Sequence, residues 1–289
     1  MKTQASRGLA ATSTAAAVLI LGACATDPQP SPPVPVPSSP VTSPSPTYRT
    51  FSPEPTPTPT PTLPDLKGDT RNAIAFAPLE DPQRVKVIGD VETANAWSTS
   101  KVLVAAAFVQ EVAGGDPRAL DPYERSLVRR ALTASDMDAL LEMRGRIPGG
   151  SGPPMTAILR SIGDDDTTAP SIREGSMYWS LRNQVRFMAA LANGEVVNDR
   201  TSAYLLRTMR PIEEHSWGLG QVGAKNFKGG WLEPYTETRQ MGILDGYAVA
   251  IITTAGPAEV QTDGDSAHVR AINRLARTLK KYLAADALR

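Results

Sequence analysis

The sequence predicts an α+β fold, in which an antiparallel sheet of about five strands is flanked by helices and stands beside an all-helical lobe. Short runs typical of strands lie near both ends of the region expected to fold. Segments with helical periodicity fill the middle of that region. Because strands bury their apolar faces by joining a sheet, early and late strands are expected to pair and close it.

The early part of this region contains two predicted strands and one very apolar helix. Residues 72–78 and 84–89 are the strands, and residues 80–83 form the turn between them. Residues 98–112 are then expected to form a helix that is apolar on nearly all sides. A helix of this kind is predicted to lie buried at the centre of the domain.

Shorter helices and a three-stranded meander follow. Glycine and proline separate the predicted helices, which are residues 123–132, 136–144, 154–162, 181–192 and 201–209. The predicted strands are residues 225–232, 236–244 and 247–254, with Asp245-Gly246 as a tight hairpin signal. The last helix, residues 267–282, is amphipathic, with one apolar stripe made of Val269, Ile272, Leu275, Ala276 and Leu279.

The N-terminus predicts export. Lys2 and Arg7 lie at the start of an apolar and small-residue run that ends at Leu21, which is typical of a secretory signal peptide, here residues 1–23. Leu-Gly-Ala-Cys at residues 21–24 resembles a bacterial lipobox with its middle two residues in the less usual order. The resemblance implies cleavage before Cys24 and attachment of a lipid such as palmitate to its thiol. The alternative is a plain secretory signal with a stray cysteine.

A proline-rich linker follows the predicted lipidation site. Residues 24–65 form this linker, and residues 27–65 hold 15 of the 26 prolines of the chain. Such a segment buries no core, and at about 3.1 Å per residue it reaches up to roughly 100 Å from a membrane. We therefore predict a domain of residues 66–289, lipid-anchored to the outer face of the cell membrane, within the cell envelope.

Composition excludes several classes of function. The formal net charge is zero, and no basic patch is concentrated in one helix, so nucleic acid is not expected as a partner. Cys24 is the only cysteine, which rules out a disulfide within the chain. His215, expected in a solvated turn, and His268 are the only histidines, and neither lies in a ligand cluster. No metal and no cofactor is expected, and the sequence names no protein partner.

Ser98 and Lys101 lie three residues apart at the start of the apolar helix, so that their side chains share one face. A serine hydroxyl needs a neighbouring base to become a nucleophile, and a lysine whose pKa is lowered by burial can be that base. Taken alone, this pattern also fits an N-cap serine followed by an ordinary helix lysine.

Two further motifs make the pattern specific. After Ser-Thr-Ser-Lys at residues 98–101, the chain has Ser-Asp-Met at residues 135–137 and Lys-Gly-Gly at residues 228–230. Ser-x-x-Lys, Ser-Asp-Asn and Lys-Thr-Gly together are the signature of class A β-lactamases and penicillin-binding proteins. The chain therefore resembles the serine β-lactamase and penicillin-binding superfamily over nearly all of residues 72–283. The resemblance implies a β-lactamase/transpeptidase-like fold.

The resemblance also implies roles for individual residues. Ser98 would be the acylated nucleophile and Lys101 its proton acceptor. Ser135, helped by Lys228, would pass a proton to the leaving group. The backbone N–H groups of Ser98 and Trp231 would form the oxyanion hole.

Three further residues are assigned to substrate binding by the same resemblance. Arg239, Gly230 and Met137 would line the substrate site, and the guanidinium of Arg239 would bind a substrate carboxylate. Structural alternatives remain for several of these residues. Ser135 could cap a helix, Lys228 could be a solvated lysine at a strand edge, and Arg239 could be a cross-strand charge.

The chain departs from the family pattern at three places. Met137 replaces an asparagine whose amide makes hydrogen bonds, and Gly229 replaces a threonine or serine. No Glu-x-x-Leu-Asn segment is present, and Glu174 is expected to be a solvated loop residue rather than a deacylating base. The segment between the first two motifs is also short, which predicts that a substrate-flanking hairpin is missing.

Three functional hypotheses follow. The leading one is an envelope serine hydrolase or acyltransferase that acts through a Ser98 acyl-enzyme on an amide, peptide or ester, either a small molecule or a peptidoglycan-derived substrate. The second is a β-lactamase in the strict sense. The third is a catalytically silent lipoprotein that keeps the fold as a ligand-binding or interaction module.

Overall fold

The computed structural model describes residues 63–91, 93–232, 237–254 and 266–288, all within one compact unit, Pro59–Arg289. The predicted signal peptide, Cys24 and nearly all of the proline-rich linker lie outside these residues. No helix in the described ranges is both long and apolar enough to cross a membrane.

Five antiparallel strands form the central sheet, in the order β2-β1-β7-β6-β5. They are β1 (Asn72–Pro78), β2 (Lys86–Ile88), β5 (Asn226–Trp231), β6 (Thr238–Leu244) and β7 (Tyr247–Thr253). The β1 strand pairs with β7 over its whole length, from Asn72 opposite Thr253 to Pro78 opposite Tyr247. The predicted antiparallel five-stranded sheet, closed by early and late segments, is confirmed.

Seven helices surround the sheet in the described part of the chain. They are α1 (Ser100–Ala113), α2 (Pro122–Thr133), α3 (Met137–Arg146), α4 (Gly152–Ser161), α5 (Leu181–Ala192), α6 (Asp199–Thr208) and α7 (Ala267–Asp286). Their boundaries lie within a few residues of the predicted ones where capping residues mark them. Asp121, for example, starts α2 through a capping box with Glu124.

Alternate residues of the sheet face two separate cores. Ala73, Ala75 and Ala77 of β1 pack in the core that contains α1 to α6, whereas Ile74 and Phe76 pack in the core that contains α7. Every residue of α1 from Ser100 to Val109 is buried, as predicted for a central helix. The sheet therefore has no solvent-exposed face at β1, and the start of α1 is held firmly between the helices and the sheet.

A second, two-stranded sheet was not predicted. It pairs β3 (Thr93–Asn95) with β4 (Tyr178–Ser180), which lies in a stretch expected to be a loop. Each strand has only three residues, which is too short for an alternating pattern to be recognised. This small sheet lies next to the turn that carries Ser98, since Ala96 N donates to Met177 O directly beyond it.

Candidate active site

Ser98 lies in a 3₁₀ turn, Trp97–Thr99, that leads directly into α1. Lys101 Nζ donates a hydrogen bond of 2.7 Å to Ser98 Oγ, and Lys101 is buried. Burial lowers the pKa of Lys101 to about 8, opposed by the charges of Asp136 and Glu174. The side chain of Ser98 makes no helix-capping hydrogen bond, because the N-cap residue of α1 is Thr99. The alternative of an N-cap serine beside an ordinary helix lysine is therefore wrong.

The backbone at this turn is strained. Trp97, directly before Ser98, has φ 46°, in the left-handed region that costs a bulky residue on the order of 1–3 kcal/mol. Two side-chain hydrogen bonds hold the turn: Thr99 Oγ1 donates to Ala96 O at 2.5 Å, and Ser100 Oγ donates to Trp97 O at 2.7 Å. The surrounding structure thus fixes the conformation that presents Ser98 to the cavity.

The second and third motifs meet through Ser135 and Lys228. Lys228 Nζ donates to Ser135 Oγ and to Gly229 O, both at 2.8 Å. Lys228 is buried, and burial together with the charge of Lys101 holds its pKa well below its usual value. The alternative of a solvated lysine at a strand edge is therefore wrong.

Ser135 does not cap α3. The cap is Asp136, whose Oδ1 accepts a hydrogen bond of 3.0 Å from Ala139 N, and whose carboxylate also forms an ion pair of 2.6 Å with Arg130. Ser135 itself has φ 59°, an unusual conformation for a residue other than glycine. Since Asp136 caps the helix, the hydroxyl of Ser135 instead accepts the hydrogen bond from Lys228.

Gly230 lets β5 approach the Ser98 turn. A Cβ atom at this position would lie 2.9 Å from Ser98 N and 3.0 Å from Ala96 O, which is closer than real Cβ contacts. The residue after it, Trp231, supplies the second backbone N–H of the predicted oxyanion hole. Because Gly230 has no side chain, the backbone of β5 can lie close to the backbone of the Ser98 turn. This approach sets the distance between the two N–H groups, of Ser98 and Trp231, that would bind an oxyanion.

Replacing Gly230 with alanine is expected to push β5 away from Ser98 and to slow the reaction of Ser98 with a fluorophosphonate roughly 10²-fold, the cost of losing one oxyanion donor. The measurement is the rate of Ser98 labelling by a fluorophosphonate. Gly145→Ala is the matched control, because no atom lies within 4 Å of the Cβ position at this helical glycine. Equal labelling rates of the two variants would contradict the proposed close approach.

Arg239 is not among the residues that line the cavity. Its side chain is completely buried, and its guanidinium donates to Ala94 O at 2.9 Å, Asn95 O at 3.0 Å, Trp179 O at 2.9 Å and Gln184 Oε1 at 2.7 Å. These acceptors take the N–H groups of both terminal nitrogens, and the remaining Nε is buried as well. The prediction that Arg239 binds a substrate carboxylate is therefore corrected: Arg239 joins β6 to β3, β4 and α5.

The contacts of Arg239 continue to the Ser98 turn. Gln184 accepts from Arg239 and donates through Nε2 to Thr99 Oγ1 at 2.8 Å. Thr99 in turn donates to Ala96 O. A continuous chain of hydrogen bonds thus connects the sheet to the residue that follows Ser98.

The structure gives a reason for the glycine at position 229. A Cβ atom there would lie 3.1 Å from a ring carbon of Trp231 and 3.5 Å from one of Trp217. These two indoles pack edge to face, with ring centroids 5.1 Å apart. Trp231 thus occupies the space beside Gly229 into which a threonine side chain would project.

Met137 is half exposed at the first turn of α3 and lines the cavity beside Ser98. Its thioether offers no N–H or O–H donor. The position that holds an asparagine in the family pattern is therefore apolar and accessible here.

Glu174 was predicted to be a solvated loop residue, and this prediction is wrong. Its side chain is buried, Ser151 Oγ donates to Glu174 Oε1 at 2.9 Å, and Arg144 Nη1 lies 3.5 Å from Glu174 Oε2. The carboxylate lines the same cavity as Ser98, and its charge acts on Lys101. No sequence signal identified Glu174, because the residues around it do not match the Glu-x-x-Leu-Asn segment.

Ser98, Lys101, Met137, Glu174 and Trp231 line one cavity of about 510 Å³, a volume typical of small-molecule sites. Its walls come from the Ser98 turn, the start of α1, α3, the 3₁₀ turn Glu174–Ser176 and the end of β5. The lining residues are Asn95, Trp97, Ser98, Ser100, Lys101, Met137, Leu140, Leu141, Arg144, Arg173, Glu174, Gly175, Ser176, Trp231 and Leu232.

Both histidines pack against tryptophan rings, and neither is among the residues that line the cavity. His215 is in a turn, as predicted, but it is buried rather than solvated, and its ring packs 5.1 Å from that of Trp231. His268 packs 5.8 Å from Trp217. Within the described residues, no group of three or more His, Cys, Asp or Glu is placed to hold a metal ion.

Comparison with solved structures identifies the fold. The chromosome-encoded β-lactamase of Vibrio parahaemolyticus matches with a TM-score of 0.57 at 15% identity, over 74% of this chain and 93% of that chain. The protein has the serine β-lactamase fold. PBP-A matches with a TM-score of 0.56 at 17% identity, over 78% of this chain and 100% of that chain.

An ancestral class A β-lactamase matches the chain to a similar degree, with a TM-score of 0.57 at 17% identity, over 74% of this chain and 94% of that chain. The fold and the resemblance predicted from the three motifs are confirmed. No family model matches the sequence. No curated protein matches it either.

Proposed function

We propose that the protein is a serine hydrolase or acyltransferase that acts through a Ser98 acyl-enzyme on an ester, amide or peptide. The observation that carries this proposal is the pair of contacts at 2.7 and 2.8 Å, Lys101 to Ser98 and Lys228 to Ser135. Each hydroxyl has a buried amine beside it, which is the arrangement that activates a serine and moves a proton.

Acylation proceeds by addition and elimination. Ser98 Oγ attacks the substrate carbonyl carbon, and its proton passes to the neutral amine of Lys101. The oxyanion is held by the backbone N–H groups of Ser98 and Trp231. When the tetrahedral intermediate collapses, the bond to the leaving group breaks and the leaving atom takes a proton from Ser135. Lys228 returns a proton to Ser135, and the proton that Lys101 took from Ser98 restores Lys228.

Deacylation requires an attacking water or another acceptor. Glu174 is the carboxylate of the cavity, and it takes the proton of a water that attacks the Ser98 ester. Water as acceptor makes the protein a hydrolase, and an amine or alcohol as acceptor makes it an acyltransferase. Since Glu174 lines the cavity with Ser98, we propose hydrolysis as the outcome when no other acceptor is present.

A β-lactamase in the strict sense is the second candidate. Among the solved structures with this fold is a mutant of PBP-A as an acyl-enzyme complex with penicillin G. The buried Glu174 favours this candidate, whereas the burial of Arg239 removes a carboxylate-binding group from the cavity. We therefore propose slow reaction with β-lactams.

The decisive experiment treats the purified protein with a fluorescent penicillin and, separately, with a fluorophosphonate. Mass spectrometry then locates the adduct. We expect an adduct with at least the fluorophosphonate, absent in Ser98→Ala and present in the matched variant Ser126→Ala, at a partly exposed serine of α2. If neither reagent labels Ser98 at any pH from 6 to 9, the silent binding-module alternative replaces the enzyme proposal.

The reaction is expected to depend on the protonation of Lys101. Only the neutral amine accepts the proton of Ser98, so with a pKa of about 8 the acylation rate should rise about tenfold per pH unit below pH 8 and level off above it. Glu174→Gln removes a charge that raises this pKa and should move the midpoint to lower pH. Stopped-flow labelling from pH 6 to 9 measures the profile, and a flat profile would exclude Lys101 as the base.

We also propose that the domain is exported and anchored through Cys24. The predicted signal peptide and lipobox support this proposal. Metabolic labelling with an alkyne-tagged palmitate should mark the wild-type protein and not Cys24→Ala. If neither protein is labelled, or if both are labelled equally, lipidation at Cys24 is contradicted.

A further inference from the structure

We propose that the cavity beside Ser98 selects substrates with an apolar acyl group, such as esters of aliphatic or aromatic carboxylic acids. This inference rests on the proposed Ser98 acyl-enzyme and names its substrate class. It differs from recognition of a carboxylate-bearing substrate, which the family resemblance implied through Arg239.

Exposed apolar side chains are concentrated at this cavity. Met137, Leu141 and Leu232 are 53%, 41% and 46% exposed, and all three line it. Trp231 lines the same cavity. Large apolar side chains that remain in water at a concave site mark a surface that is covered when a ligand binds.

The position of this apolar surface assigns it to the acyl group. The cavity is lined by Ser98, Lys101 and Glu174, whereas Ser135 and Lys228 are not among the described residues that line it. Since Ser135 protonates the leaving atom, the leaving group lies on the Ser135 side of Ser98. The part of the substrate that stays on Ser98 therefore lies in the cavity.

The polar groups of the cavity do not favour an anionic acyl group. Three cationic side chains line the cavity, and the charge of Glu174, 3.5 Å from Arg144, largely offsets one of them. Lys101 is neutral when it accepts the proton of Ser98. Arg173 is exposed, so that water screens its attraction to an anion. Met137 offers no donor to an acyl amide, and the terminal nitrogens of Arg239 are occupied elsewhere. The apolar wall thus provides most of the surface that an acyl group contacts.

The reaction that follows is hydrolysis of a carboxylic ester. The C–O bond to the alcohol breaks as Ser98 Oγ bonds to the carbonyl carbon, and the alcohol leaves with the proton from Ser135. Water then attacks the acyl carbon while Glu174 takes its proton. The bond from the acyl carbon to Ser98 Oγ breaks, and Oγ takes the proton held by Glu174, which gives the free acid and restores Ser98. One ester and one water are consumed, and one acid and one alcohol are formed.

The test compares p-nitrophenyl esters that differ only in the acyl chain. We expect kcat/KM to rise about fourfold for each added methylene from acetate to hexanoate, because each CH₂ is removed from water. The mono-p-nitrophenyl ester of glutaric acid, which carries a terminal carboxylate, should react at least tenfold more slowly than the pentanoate. Faster reaction of the glutarate would show that the arginines select the acyl group, and would overturn the proposal.

Variants of the apolar residues that line the cavity test whether these residues cause the dependence of kcat/KM on acyl-chain length. Leu141→Ser and Leu232→Ser should each lower the ratio of hexanoate to acetate kcat/KM about fivefold or more, because each variant removes apolar surface that a long acyl chain would cover. Ile212→Ser is the matched control, since Ile212 is exposed but does not line the cavity. An unchanged ratio in both wall variants would contradict the inference.

Labelling with a small fluorophosphonate distinguishes failure of the acyl-group inference from failure of the proposed serine hydrolase function. If it labels Ser98 while the ester series shows no dependence on chain length, the acyl-group inference fails and the serine hydrolase proposal stands. If Ser98 is neither labelled nor acylated by p-nitrophenyl acetate, the proposed function fails and this inference fails with it.

Discussion

Glu174→Gln is expected to slow hydrolysis of the Ser98 acyl-enzyme by about 10²- to 10⁴-fold, the usual contribution of a general base. Formation of the acyl-enzyme should change much less, because Lys101 rather than Glu174 accepts the proton of Ser98. The amide of glutamine keeps the size of the side chain, so that the hydrogen bond from Ser151 is retained. The intermediate should therefore accumulate and be visible by mass spectrometry.

The measurement is the decay of the acyl-enzyme after rapid removal of free ester. Glu142→Gln is the matched control, because Glu142 is an exposed residue of α3 whose partner is Arg146. If Glu174→Gln lowers stability but leaves the decay rate unchanged, Glu174 holds the loop through Ser151 and Arg144 and is not the base.

Arg239→Met is expected to lower the free energy of unfolding by about 3 kcal/mol or more. The change leaves buried acceptors on Ala94, Asn95, Trp179 and Gln184 without their donor, and each unpaired buried group costs about 1–3 kcal/mol. Ser98 labelling should also fall, by roughly 10²-fold, since displacements of about 1 Å at a reacting group have effects of this size.

Urea unfolding and labelling kinetics measure the two effects. Arg239→Lys should show an intermediate loss, because a single ammonium cannot serve all the acceptors that the planar guanidinium reaches. Arg118→Met, at an exposed arginine, is the control for the loss of one positive charge. If Arg239→Met is as stable as the wild-type protein, the hydrogen bonds of the Arg239 guanidinium contribute little to the free energy of unfolding.

Much of the fold was predictable because its elements carry local signals. The Asp245-Gly246 hairpin was found from two residues, and both have the positive φ values that such a turn requires, 50° and 82°. The helix starting at Ser100 was found from its unbroken apolar run, although Ser98 belongs to a separate turn before it. The β3–β4 pair was missed because three residues in each strand are too few for an alternating pattern to be recognised.

The candidate site also has residues whose roles could be predicted from local motifs and one, Arg239, whose role could not. Ser98, Lys101, Ser135 and Lys228 lie in motifs with fixed spacing, and the structure brings them together in two hydrogen-bonded pairs. Arg239 was misassigned because the segments that bury it and accept its hydrogen bonds, β3, β4 and α5, lie far from it in the sequence. Arg239 lies opposite Gly230, and its side chain points to the buried helical side.

Glu174 and His215 show a second reason for failure. Both lie in short 3₁₀ turns, and both were expected to be in water. Glu174 was so predicted because its neighbours do not match Glu-x-x-Leu-Asn, and His215 because it follows Glu213 and Glu214. Burial of such residues is determined by segments that fold over them, here the start of α4 through Ser151 for Glu174 and β5 through Trp231 for His215. The residues next to Glu174 and His215 in the sequence give no signal from which these contacts could be predicted.

The pairing of β1 with β7 has a consequence for how the chain folds. The partners are about 180 residues apart, as in Asn72 opposite Thr253, so the sheet cannot close until nearly all of the domain is available. Domains with such distant contacts fold slowly. Until β7 arrives, Ala73 to Pro78, all buried in the finished domain, remain an unpaired and apolar strand. This order of folding fits the export that we propose, in which the chain passes through a membrane before it folds.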